Sequence, residues 1–273
     1  MTWQQYLKAG WRNLPGGMRR FLITAVLGAL GLVVLAFILP VEWQLLPLLA
    51  LFGLFVVVQG VVLWMLWRQG PAFRRARRAY LAGDFAEAVR ILEERQETDA
   101  LDAAEQTLLG NTYRQMGRLL ESERILRKAF EAAPDEPFPA YGLGRTLLAL
   151  GQYEEAAALI TRALSRGADV VILADLGHAQ YRAGLVEDAE QTLEEAGRLT
   201  LDPPRALMTR YLLWRLSGQP VDQTLVARLE RYDHGLDFWR AEAARFHDSP
   251  YGDALTEDIA GIERVLAQGR HDE

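Results

Sequence analysis

Cysteine is absent from the 273 residues of this chain. Disulfides, thiol catalysis and cysteine-ligated metal are excluded from the start. Histidine is scarce, limited to His178, His234, His247 and His271. Asp233-His234 with Asp237, and His247-Asp248, could be read as base or metal pairs, but such neighbours near helix ends are ordinarily solvated caps. The nucleotide-cradling patterns GxxxxGK[ST] and GxGxxG, the HExxH zinc motif, the GxSxG elbow and the EF-hand loop are all missing. The expectation is a chain with no catalytic residue, no metal ligand and no cofactor. Acidic residues are nearly missing from the first 78 positions, which hold Lys8, Arg12, Arg19, Arg20, Arg68, Arg74, Arg75, Arg77 and Arg78 against Glu42 alone. That end is net +8 and the remainder net −14. Such asymmetry marks a surface-binding end and a soluble end. The acidic end would repel phosphate, which argues against nucleic acid.

Long stretches without charge are present only near the start. Residues 21–39 are uncharged and, at about 1.5 Å per residue, would span roughly 28 Å as a helix, close to the hydrocarbon thickness of a bilayer. A secretory leader is the competing reading, but the run is long for one and no small-x-small cleavage site follows before Pro40. A second apolar run, 45–67, follows after five residues, so the pair is expected as a transmembrane hairpin over 21–68 with Trp43, Trp64 and Trp67 near the interfaces. Gln59 is the strongly polar side chain of the second span and could bond to the first helix or to a partner subunit. Ala25, Gly28, Ala29, Gly53 and Gly60 would permit close backbone approach. Before the hairpin, Trp3, Tyr6, Leu7, Trp11 and Leu14 share one face of an amphipathic segment (residues 1–20) suited to a membrane surface, ended by Pro15-Gly16-Gly17. Arg68, Arg74, Arg75 and Arg78, with Trp3 and Trp11, are the candidate membrane-surface residues. Arginines flanking both spans place both termini, and everything after residue 68, on the cytoplasmic side.

The rest of the chain is organised by a repeat. Leu109-Gly110, Tyr113, Gly117, Leu119, Ser122, Leu126 and Ala129 recur as Leu143-Gly144, Leu147, Gly151, Tyr153, Ala156, Ile160 and Ala163, 34 positions later. Glycines at 83, 117, 151, 184 and 218 are spaced 34, 34, 33 and 34 apart, where the first helix of each hairpin must stop and turn. Small residues fall where two helices of a hairpin would cross. The fifth unit departs from the pattern with Tyr211 at a small position, and Pro220 and Gln223 after its turn. Three further helices, about 221–232, 236–247 and 252–268, are expected to close the end of the superhelix as a cap.

The pattern resembles the tetratricopeptide repeat, over roughly residues 70–218. The resemblance implies a superhelix of four to five repeats over 69–219, so that with the transmembrane hairpin before it and a C-terminal helical cap over 220–273 the chain is expected to be all-α. In that family the first helix of each hairpin lines a concave groove. Carried onto this sequence, the lining is Arg77 and Tyr80, Asn111 and Arg114, Tyr141 and Arg145, and His178, Tyr181 and Arg182. The family's lysine and asparagine clamp for a chaperone tail is not reproduced, since Phe73, Leu108, Phe138 and Gly142 stand at its positions. The layout is also similar to that of HemY-type bacterial inner-membrane proteins.

The expected function is a membrane-anchored adaptor or scaffold binding a protein or peptide partner, of acidic character, at the cytoplasmic face. The alternative is a structural or assembly subunit of a larger membrane complex. Arg114, Arg145 and Arg182 are expected to form an open positive strip whose charge reversal would leave stability nearly unchanged.

Overall fold

A computed structural model of the chain describes residues 16–43, 45–68 and 70–271, the side chains of 16–22, 41, 62–68 and 269–271 excepted. The amphipathic segment with Trp3 and Trp11 lies outside the described residues. The chain divides into two compact units between Arg75 and Ala76.

The first unit contains α1 (Gly16–Ile38), a 3-10 turn (Val41–Trp43) and α2 (Leu45–Arg68), with the two helices packed side by side. Gly16 and Gly17 sit inside the first turn of α1. A Cβ on Gly28 would meet Leu54 at 3.9 Å, an ordinary contact, whereas Gly53 and Gly60 face open space. Close backbone approach through all these small residues is therefore not observed. Gln59 is exposed. Much of the apolar surface is uncovered, with Leu27, Leu30, Leu49, Phe52 and Phe55 exposed and Phe37 86% so. Among the described residues no helix is long and apolar enough to cross a membrane. The expected transmembrane hairpin is not supported by the described residues, which give a pair of apolar helices.

From Pro71 onward the chain alternates helix and tight turn: α3 (Pro71–Leu81), α4 (Phe85–Thr98), α5 (Ala103–Gln115), α6 (Leu119–Ala132), α7 (Pro137–Ala149), α8 (Tyr153–Ser165), α9 (Leu173–Arg182), α10 (Val186–Gly197), α11 (Pro203–Ser217) and α12 (Gln223–Glu230). They form five hairpins. The turn glycines at 83, 117, 151, 184 and 218 all take positive φ, between 63° and 81°, which an L side chain rarely adopts. Gly167, between two hairpins, does the same at 90°. Helices start where Asp84, Asp102, Asp202 and Asp222 accept a bond from a first-turn amide, Asp102 and Glu105 completing a capping box. At the crossings a Cβ on Gly110 would stand 2.5 Å from Leu126, and one on Gly177 2.6 Å from Leu193. Ser122, Ala129, Ala156 and Ala163 are fully buried there. The small-residue pattern is thus the footprint of helices in contact.

The C-terminal helices differ from the expectation in place. Beyond α12 come α13 (Leu236–Arg245) and α14 (Pro250–His271). Instead of closing one end, they run back against the repeats. A Cβ on Gly117 would lie 3.2 Å from the Arg245 carbonyl, and one on Gly151 3.3 Å from Pro250. The Trp239 indole N–H donates to the Pro204 carbonyl at 2.8 Å. Trp239, Phe246, Tyr251, Leu255, Ile259, Ile262, Val265 and Leu266 join one continuous core with Leu143, Leu147, Leu176, Leu207 and Tyr211. Burying each such side chain is worth roughly 1.5–3 kcal/mol, so the pair is part of the folded unit.

Candidate functional site

The expected groove lining separates into two groups. Arg77 is exposed and Tyr80 half-buried on α3, the Tyr80 ring 5.6 Å from that of Phe85. Asn111 is half-buried on α5. Arg74, Arg75 and Arg78 are exposed on α3, while the side chains of Arg68, Trp3 and Trp11 lie outside the described residues.

The remaining residues of the expected lining are covered, and most of them meet groups supplied by the chain itself. Arg145 donates to Asp175 at 2.9 Å and to Glu242 of α13 at 3.3 Å. The Tyr141 hydroxyl donates to Asp175 at 2.7 Å. Arg205, which the sequence reading did not select, completes this cluster with bonds of 3.1 Å to Asp175 and 3.3 Å to the Tyr141 hydroxyl. Burial alone would push the Asp175 carboxyl up, but Arg145 and Arg205 beside it hold it below its ordinary value. Arg182 bonds Asp258 of α14, donates to the Ala254 carbonyl at 3.3 Å, and reaches His178 Nε2 at 3.3 Å. Burial nevertheless raises the Asp258 carboxyl, with Arg182 and Arg215 countering it only in part. His178 is buried between Trp239 and Tyr251, ring centroids 5.8 and 5.6 Å away. Burial first, and then Arg182 and Arg145, hold its pKa well below the ordinary histidine value, so it is neutral and accepts the Arg182 bond. Tyr181 is half-buried with the Arg182 guanidinium 5.5 Å from its ring.

Arg114 stands apart within this cluster. It is 7% exposed, its Nε has no hydrogen-bond partner, and burial with Arg145 nearby pulls its pKa below the ordinary arginine value. The open positive strip is therefore corrected. Over the third and fourth repeats its charges are neutralised by Asp175, Glu242 and Asp258, and reversing them would set carboxylate against carboxylate in a buried site. Reversal of Arg145 and Arg182 is therefore expected to lower stability.

The occupants Glu242, Trp239, Tyr251 and Asp258 were not recognised in the sequence. A signal for them existed: Gly252 and Gly261 interrupt α14, and isolated helical glycines usually have a packing reason. A Cβ on Gly261 would stand 2.0 Å from the Tyr211 hydroxyl. Elsewhere the acidic side chains of α8 and α10, Glu154, Glu155, Glu187, Asp188, Glu190, Glu194 and Glu195, are exposed. His234 lies 3.7 Å from Asp233 and His247 3.0 Å from Asp248, all exposed. Among the described residues no group of three or more histidines and carboxylates is placed to hold a metal ion.

An alternation of five glycine-turned helical hairpins defines a repeat superhelix. Tetratricopeptide repeat family models match residues 69–94, 99–169 and 147–210, and the chain carries tetratricopeptide repeats there. These matches begin at residue 69 and support neither a membrane anchor nor a HemY-type layout. No curated protein matches the sequence. Among solved structures, the chain is similar to MamA residues 41–end from Desulfovibrio magneticus RS-1, at 17% identity and TM-score 0.45, covering 72% of this chain and 94% of that one. It is similar to a putative kinesin light chain from Podosopora anserina with nearly identical repeats, at 20% identity and TM-score 0.44, covering 72% and 95%. It is also similar to the anaphase-promoting complex hetero-tetramer Cut9-Hcn1, at 15% identity and TM-score 0.51, covering 71% of this chain and 38% of that one. This last is a likeness of fold.

Proposed function

We propose that the protein is a non-catalytic scaffold that holds a protein partner on the outside of its repeat superhelix, while an apolar helical pair anchors it to a membrane. The observation that carries the reading is the occupied groove. With α13 and α14 built into the core and Arg145 and Arg182 bonded to Asp175, Glu242 and Asp258, the chain's own C-terminal helices occupy the inner face where these residues lie. Binding then falls to the convex helices and to the first-repeat end, where Arg77 is exposed. The anchor rests on the uncharged runs 21–39 and 45–67, counted in full, and on the exposed leucines and phenylalanines of α1 and α2. An apolar surface of that extent finds cover in lipid or in another protein. Basic flanks at Arg19, Arg20 and Arg68 assign the repeats to the cytoplasmic face by the positive-inside rule.

The second reading, a subunit of a larger membrane complex, is favoured by Gln59, an exposed amide on an otherwise apolar helix. In lipid such a group gains from bonding to a neighbouring span, by about 1 kcal/mol. One experiment tests both. After carbonate washing of membranes and purification of the full chain in mild detergent, the chain should stay with the membrane fraction and bring a partner with it. Cross-links confined to α4, α6, α8, α10 and α12 would favour the scaffold, and cross-links through α1 and α2 the subunit. Recovery of the chain from the wash, alone and monomeric, would overturn both.

A further inference from the structure

Among the described residues, a cavity of opposite sign adjoins the exposed carboxylates of α10. Where the end of α10, the middle of α11 and the end of α12 come together there is a cavity of about 530 Å³ lined by Arg198, Arg210, Arg228 and Arg231. One carboxylate is present, Glu194, and it meets Arg198 at 3.6 Å with both side chains more than half exposed, a pair worth little. Among the described residues Arg210, Arg228 and Arg231 have no carboxylate partner within ion-pair distance. The cavity is thus net +3 in a chain that is net −6 overall. Two of the arginines are held and not merely exposed. Arg210 donates to the Ala206 carbonyl at 2.9 Å and to the Tyr232 hydroxyl at 3.4 Å, with its guanidinium 4.3 Å above the Tyr232 ring. Arg231 lies 5.9 Å from the same ring. Leu213, half-buried, adds an apolar wall.

From this geometry we infer that the cavity is the docking site for an acidic segment of a protein partner, with carboxylates on the arginines and one aliphatic or aromatic side chain against Leu213 and Tyr232. The inference rests on the scaffold reading and names the surface it uses. Guanidinium groups recognise carboxylates through paired donors, and a concave, low-dielectric wall concentrates their field against an acidic background. The protein supplies its own precedent, because the inner arginines are satisfied by carboxylates on helices that also bring Trp239 and Tyr251. Polar and apolar contacts side by side favour a peptide over a bare anion.

The test uses the full chain in detergent micelles and a fluorescein-labelled probe peptide, Glu-Glu-Trp-Asp-Glu-Leu, with its Gln/Asn counterpart as control. The acidic peptide should bind, the neutral one should bind at least tenfold more weakly, and affinity should fall steeply with salt. Arg228→Glu combined with Arg231→Glu should weaken the acidic peptide at least tenfold. Arg124→Glu combined with Lys128→Glu, the same charge change on α6, should alter it less than twofold. The thermal midpoint of the Arg228/Arg231 variant should match the parent, so that loss of binding is not loss of fold. Equal loss in both double variants would overturn the inference in favour of general charge. Competition by inorganic phosphate alone, or by phosphatidylserine vesicles, at the peptide's own affinity would overturn it in favour of an anion or lipid headgroup site. A variant that loses the probe but keeps its co-purifying partner separates failure of this site from failure of the scaffold reading.

Discussion

The inner and outer arginines of the repeat unit have the same chemistry and opposite circumstances. Arg145 and Arg182 are 12% and 11% exposed, and each is bonded to carboxylates the chain itself brings. Arg228 and Arg231, at the end of α12 in the fifth hairpin, are exposed and meet no carboxylate among the described residues. Leaving a buried guanidinium uncompensated costs several kcal/mol, whereas a solvated one carries no such penalty. The contrast teaches that a basic stripe on the first helices of a repeat array can be a structural socket for the array's own terminus. What is left for a partner is then found by asking which cations the fold has not already used.

Three substitutions would break or sharpen that contrast. The largest effect should come from Arg145→Ala, which leaves Asp175 with Arg205 and Tyr141 alone and Glu242 with Arg245 alone. Loss of one member of a buried pair costs about 3–5 kcal/mol, so the denaturant midpoint should fall sharply with the m-value little changed. A change below about 1 kcal/mol would mean that the inner arginines are as dispensable as the outer ones. Next is Gly261→Ala, which drives a methyl into the Tyr211 hydroxyl where α14 packs on α11. Overpacking costs about 1–3 kcal/mol, and the better helix propensity of alanine returns at most about 1, leaving a net loss. A gain in stability would mean that α14 is not held against the repeats.

The third is a pH effect. His178 is buried neutral with its pKa depressed, facing Arg182, Arg145 and Asp175 as its charged neighbours. The unfolded chain binds a proton near the ordinary histidine value of about 6.5, and the folded one only well below it. The stability that neutral His178 contributes is therefore complete above about pH 6.5. It is lost as pH falls from there toward the folded pKa, at up to about 1.4 kcal/mol per pH unit. Replacing His178 by Asn should flatten the stability profile between pH 6.5 and 5. An unchanged slope would assign the acid sensitivity to the carboxylates.

Much of the architecture was legible because the signals are local. A glycine at every 33rd or 34th position reports a left-handed turn wherever it stands, and Gly110, Gly144 and Gly177 report a helix crossing within one hairpin. Their partners, Leu126, Ile160 and Leu193, lie within 16 residues. The candidate site was less legible because its partners are distant in sequence. Arg145 meets Glu242 across 97 positions and Arg182 meets Asp258 across 76. Neither acid belongs to a repeat, so no period points to it.

Sequence alone therefore determined the repeat, its turns, its crossings and the charge contrast between the two ends, since each follows from residue type and short spacing. Only the tertiary structure decided where the last two helices go. Their apolar stripes, Leu236, Trp239, Ala243 and Phe246 on one and Ile259, Ile262, Val265 and Leu266 on the other, require burial without specifying against what. The inner face of the superhelix offered both the apolar area for those stripes and the arginines for Glu242 and Asp258. That joint satisfaction of shape and charge is a property of surfaces brought together, which no stretch of the chain carries by itself.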